Sequence, residues 1–97
     1  MGTSGCVLEL AILGVIYELN SDQSRTLTFG QIYMALLRAH SNISPISECV
    51  VVVNLLVTEG LIVSRKVLDH DRAFPYTQHL IGGLTEVGVA ALKSCVP

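Results

Sequence analysis

Residues 44–62, SPISECVVVVNLLVTEGLI, decide how the rest of the chain reads. Ser44 and Pro45 are a helix-start pair. A serine side chain accepts a bond from an orphan N–H, and proline at the first helical position gives up no bond the helix would have made. Glu59 and Gly60 close the segment, because glycine takes the left-handed geometry that stops a helix. Leu61 and Ile62 follow directly and begin a β-rich stretch. On the helix, Ile46, Cys49, Val50, Val53, Leu56 and Val57 fall on one stripe, the expected core side. Ser47, Glu48, Val51, Asn54, Leu55 and Thr58 fall opposite. The four consecutive valines, 50–53, suit a strand as well as a helix. A strand at Cys49 to Val53 is therefore the alternative; the Ser-Pro start, the glycine stop and the length favour the helix.

On the N-terminal side, Met1 to Gly5 reads as a disordered lead and Cys6 to Leu19 as a helix. Leu8, Ala11, Ile12, Val15 and Leu19 share one face; Leu10, Leu13 and Tyr17 populate another. A helix apolar almost all round is expected to be buried on two sides: one by its own core, the other open to a twin subunit. Asn20 to Thr26 is a polar loop. Thr28 to His40 is the second helix, where Thr28 and Gln31 form a T-x-x-Q capping box. Phe29, Ile32, Tyr33, Leu36 and Leu37 make its inner face, with Gln31 and Arg38 pointing to water. Ser41 to Ile43 is the turn that follows.

On the C-terminal side, Leu61 to Leu68 reads as a strand with Leu61, Val63 and Val67 inward. Asp69 to Arg72 is a polar tip. Phe74 to Ile81 returns as a second strand, in which Pro75 demands an edge or a delayed start. Gly82-Gly83 breaks it. Thr85 caps a last helix, Glu86 to Lys93, with Val89 and Leu92 inward. The order gives a single α+β domain over residues 1–97, mostly α: three helices, a β-hairpin and a short helix.

Composition bounds the function. Of 97 residues, 51% are apolar, an excess that points to a partner. The net charge is -2 with only 14% charged residues, which weighs against a generic nucleic-acid binder, though the location of charge matters more than its sum. No apolar run approaches ~18 residues, so no membrane partner is expected. Glu9 and Glu18 interrupt the first apolar stretch, and no basic region precedes it, so it is not a signal peptide. Cys6, Cys49 and Cys95 lack metal-type spacing, and a cytoplasmic protein with reduced thiols is expected. Cys49 falls on the core stripe as inert filling. Cys6 and Cys95 could meet if the first and last helices pack, and a redox role would need an exposed thiol of low pKa. His70 between Asp69 and Asp71 reads as a solvated turn rather than a metal site. His40, His70 and His79 lack an evident serine or cysteine partner. No catalytic residues, metal or cofactor are expected.

Three motifs carry a resemblance. Leu8-Glu9-Leu10-Ala11-Ile12-Leu13-Gly14 resembles the opening helix of the PadR-like winged-helix transcription regulators. Ser44-Pro45 and the ending Leu56 to Ile62, LVTEGLI, resemble that family's recognition helix and its exit. Leu84-Thr85-Glu86-Val87-Gly88 resembles the leucine-threonine-glutamate-x-glycine segment after the wing, which multiple-antibiotic-resistance-type regulators share. The resemblance implies a winged helix-turn-helix and a homodimer that binds double-stranded DNA. It places the 44–59 helix in the major groove and the 61–81 wing on flanking backbone. Carried over, the nucleic-acid-binding positions are Ser44, Ser47, Val51 and Asn54 on the helix, with Arg65, Lys66, His70 and Arg72 on the wing. Glu48 and Leu55 also fall on the groove-facing side. The dimer interface would use Leu10, Leu13, Tyr17, Val89 and Leu92.

The reading face departs from the family pattern. Glu48 would be repelled by phosphates, and Val51 and Leu55 touch a thymine methyl without bonding a base. The wing holds Arg65, Lys66 and Arg72, half of the six basic residues, but Asp69 and Asp71 reduce its net charge to one positive, His70 and His79 excluded. The alternative function is a winged helix that binds another protein through the Val51/Leu55 face and does not bind DNA.

Overall fold

The computed structural model describes residues 3–20, 22, 24–40, 45–68, 72 and 77–94, with the backbone alone for residues 3–7. In chain order the elements are α1 (Thr3–Leu19), α2 (Phe29–Ala39), α3 (Ile46–Thr58), β1 (Ile62–Leu68), β2 (Gln78–Leu84) and α4 (Glu86–Ser94). This is a small, mostly helical α+β arrangement with one two-stranded antiparallel sheet among the described residues.

The first helix begins at Thr3, three residues before the expected Cys6. Thr3 and Ser4 are ordinary helix residues, and the about 1 kcal/mol that Gly5 costs against Ala does not stop the turn. Ile12 and Ile16 are fully buried, and Leu8, Leu13 and Val15 join them. Leu13 is thus a correction: expected on the outward face, it is 2% exposed and belongs to the protomer's own core. The buried arc of α1 is wide because α2, α3, α4 and β2 all pack against it.

α2 forms where its cap predicts. The Thr28 hydroxyl accepts the Gln31 N–H at 3.1 Å, and the Thr28 N–H donates to Gln31 Oε1 at 2.9 Å. The helix stops at His40, whose N–H still reaches the Leu36 carbonyl. Phe29, Ile32 and Leu36 are buried, and the Phe29 ring stacks on Tyr33 with centroids 5.9 Å apart. Leu37 corrects the expected inner face: one residue past Leu36 lies about 100° round the helix, and Leu37 is exposed.

The valine run is helical. Pro45 is the N-cap of α3 rather than its first residue, and its carbonyl accepts from the N–H groups of Glu48 and Cys49. Ser44, expected to cap, lies outside the described residues. Cys49, Val50, Val52, Val53 and Leu56 are buried, so the core stripe takes in Val52 and leaves Ile46 exposed. The exit is a Schellman motif: Leu61 N–H donates to Leu56 O, Gly60 N–H donates to Val57 O, and Gly60 has φ +79°.

The hairpin differs most from expectation. Ile62, not Leu61 or Val63, is the buried residue at the start of β1, and Val67 is 52% exposed. The described part of β2 begins at Gln78 and runs through Gly82-Gly83, which do not break it. Partners run Ile62–Leu84, Val63–Gly83, Ser64–Ile81, Lys66–Leu80, Val67–His79 and Leu68–Gln78. Gly82 on β2 and Arg65 on β1 are therefore extra residues in opposed bulges, and the register after them is restored. The glycines are tolerated because Gly83, φ +127°, takes a conformation side chains rarely adopt, and the Gly82 carbonyl is bonded.

That bond comes from Asn20, 3% exposed, at the end of α1. Its Nδ2 donates to Gly82 O at 3.1 Å and Arg25 O at 2.7 Å, and its Oδ1 accepts Arg25 N–H at 2.9 Å. A few residues on, Leu27 exchanges two 2.8 Å backbone bonds with Ile81. The polar loop after α1 thus ends in a single bridge to the sheet.

α4 is anchored on the exit of α3. Thr85 N–H donates to Leu61 O, and the Thr85 hydroxyl accepts Gly88 N–H while donating toward Gly60 O at 2.7 Å. A side chain at Gly88 would run into the Leu61 carbonyl oxygen. The glycine of one motif is there because the exit of the other passes over it.

Candidate functional site

The outward side of α3 is the first surface the fold leaves open. Ser47, Glu48 and Thr58 are exposed, as are Val51 at 63% and Leu55 at 42%. Ile46 adds a third exposed apolar side chain at the helix start. Asn54 is the exception on this side. Its Nδ2 donates to the Thr77 carbonyl at 3.2 Å, which ties α3 to the segment entering β2. Its Oδ1 is buried and has no partner among the described residues. Asn54 is therefore turned to the hairpin, and a role in reading bases would require that bond to break. The Thr58 hydroxyl likewise donates back to the Asn54 carbonyl.

The hairpin segment carries three of the six basic residues. Arg65, Lys66 and Arg72 are exposed. The Arg65 side chain crosses Gly82, where a built Cβ would lie against its Nε. His70, expected beside them, lies outside the described residues with Asp69 and Asp71. Ser64 and His79 supply a contact that the sequence reading missed: Ser64 Oγ is 2.7 Å from His79 Nδ1 across the strands. Ser64 pairs with Ile81 in the shifted register between the bulges, and His79 lies two residues from Ile81, so the contact is a diagonal that follows from the bulges, which no local sequence signal announces. It is half-buried in a sheet with no third group bonded to the imidazole among the described residues, and it fastens the two strands.

The expected dimer residues separate. Leu10 is half-buried and Tyr17 is exposed, whereas Leu13 is inside the core. Val89 and Leu92 are half-buried and pack against the protomer's own core. Of the three expected interface residues on α1, Leu10 and Tyr17 keep outward surface.

A groove of about 480 Å³ runs beside α2, with Leu19, Leu27 and Ala35 at its base and Arg25, Gln31, Met34 and Arg38 around it. Arg25, from the polar loop, and Arg38, expected to face water, bring two cations to one surface. Beside it, Asp22 accepts from the Ser24 hydroxyl and N–H. These bonds, with a smaller contribution from Arg25, hold its carboxyl below the ordinary range. Burial pushes the Cys49 thiol up, and the neighbouring Glu48 charge adds to the shift. Cys49 is thus a neutral core group; Cys95 is outside the described residues, and the side chain of Cys6 is not described. Among the described residues no cluster of His, Cys, Asp or Glu is arranged to hold a metal ion, and no helix is long and apolar enough to cross a membrane.

Set against known protein families, curated proteins and solved structures, the chain matches none.

Proposed function

We propose that the chain is a winged-helix DNA-binding regulator, with α3 as the groove-entering helix and the β1–β2 hairpin as the wing. One observation carries the reading: an α3 whose outward side is exposed passes through a glycine stop directly into a hairpin bearing exposed Arg65 and Lys66. A helix of that diameter fits a major groove, and cations on an adjoining hairpin contact phosphates without reading sequence. As a homodimer, the protein would set two α3 helices on half-sites about 34 Å apart. The test is fluorescence anisotropy on mixed duplex DNA at rising salt. Binding should weaken steeply with salt, and R65A/K66A/R72A should flatten the slope while the fold survives. A folded protein that binds no duplex even at low salt ends this reading.

The outward side of α3 supports a second reading. With Asn54 turned inward, that side offers Val51, Leu55 and Ile46 beside Glu48, a surface better suited to a protein partner than to phosphates. Val51→Arg separates the two. On DNA the added cation leaves affinity unchanged or raises it; at an apolar protein interface it abolishes binding.

A further inference from the structure

We propose that Gly82 is a positioning residue: it forms a seat that holds the Arg65 side chain ready for a phosphate oxygen. The inference rests on the DNA-binding reading above and names the cation that the fold has pre-ordered.

The seat is made by the two bulges. Gly82 is the extra residue of β2 between the Val63–Gly83 and Ser64–Ile81 pairs, and Arg65 is the extra residue of β1 between Ser64–Ile81 and Lys66–Leu80. Bulges re-aim side chains, and here the two extra residues are brought face to face. The nearest atoms to a Cβ built on Gly82 all belong to Arg65: Nε, then Cζ at 2.9 Å and Cδ at 3.1 Å. Gly82 is buried while Arg65 stays exposed. The Cδ–Nε–Cζ end of the arginine therefore covers the glycine, and the residue keeps its access to water. Backbone conformation does not require this glycine, because the positive φ values belong to Gly60 and Gly83. Space requires it. From below, the Gly82 carbonyl is fixed by buried Asn20, so the floor of the seat is tied to the end of α1.

A free surface arginine loses rotamer entropy when it meets a phosphate. One already laid in a groove of the sheet loses less, which is the usual route by which pre-ordering raises affinity. Lys66 and Arg72, also exposed, have no comparable glycine opposite them among the described residues.

The experiment compares wild type, G82A, R65A and G82A/R65A in salt-dependent duplex binding and in thermal melting. Alanine fits the backbone at 82, and its methyl meets Arg65. G82A should therefore lose most of the affinity that R65A loses, with the salt slope falling by about one in each. The double variant should bind no worse than R65A. In melting, G82A should cost more beside Arg65 than in the R65A background, a non-additivity that reports direct contact. Should G82A alone fail to fold while G82A/R65A folds, the contact is upheld in its strongest form. If neither folds, Gly82 serves the backbone and the seat is refuted. Wild-type affinity in G82A, with R65A weakened, refutes it too. A wild-type protein that ignores DNA removes the regulator reading and the seat's purpose together, and the melting cycle still shows whether the contact exists.

Discussion

Gly88 has the least room of the described glycines. The Leu61 carbonyl that a side chain there would strike also accepts the Thr85 N–H at 3.0 Å, so it cannot turn away without losing a bond. Gly60 is different: open space surrounds it, and only its φ of +79° resists a side chain. G88A should therefore destabilise by about 2–3 kcal/mol, as overpacking against rigid backbone does, and G60A by only about 1–2 kcal/mol. Urea denaturation of both variants checks the order; G60A as the worse of the two would mean that α4 rides freely on the α3 exit. Cys49 offers a pH test. Its raised pKa means that the folded state keeps the thiol neutral after the unfolded chain has begun to ionise. The contribution is complete at low pH and declines as pH rises past the ordinary thiol value of about 8.5. Cys49→Ala should reduce that alkaline loss in melts taken between neutral and high pH. An equal slope in the variant would assign the loss to other groups.

At the scale of elements, what was legible was what is local. The capping box at Thr28 and Gln31, the glycine stop at Gly60 and the Thr85 cap all involve bonds within a few residues, and each falls where the sequence places it. The capping box should be worth about 1 kcal/mol in Thr28→Ala, read as a drop in the urea midpoint; no drop would mean that packing of Phe29 and Ile32 alone nucleates α2. The hairpin was poorly legible for the opposite reason. Gly82-Gly83 reads as a strand break because nothing nearby in sequence compensates for two missing side chains. The compensation arrives from Asn20, 62 residues away, and from the opposed bulge at Arg65. Because side chains alternate faces along a strand, a one-residue error inverts the inward set; the reading chose Leu61 and Val63, and Ile62 is the residue inside. Leu13 was misjudged for a different reason. Whether a second apolar stripe of α1 faces a partner or the protein's own α4 is decided by tertiary packing, which the 3.6-residue period does not encode. Of the candidate site, the outward side of α3 was legible down to Val51 and Leu55, whereas the inward turn of Asn54 depends on where Thr77 lies.

The molecule as a whole exposes more large apolar side chains than its few charges balance: Tyr17, Met34, Leu37, Ile46, Val51, Leu55, Val67 and Val87 among the described residues. They are spread over all four helices and β1, so no one patch accounts for the 51% apolar composition. The proposed homodimer has to select among them. With Leu13 inside the core and Val89 and Leu92 against it, α1 retains Leu10 and Tyr17 as outward groups, and these lie seven residues apart, two turns on one side of the helix. A charge there is opposed only if the side is covered by a twin subunit, because Tyr17 is already exposed in the protomer and its replacement leaves the core intact. Tyr17→Asp should therefore lower the mass seen in sedimentation equilibrium from dimer to monomer while the melting of the monomer stays near wild type. Val51→Arg, on the opposite function, should leave the dimer whole. A Tyr17→Asp protein that remains dimeric would move the interface off α1, and a Val51→Arg protein that dissociates would place it on α3, where it would occupy the surface that both functional readings need free.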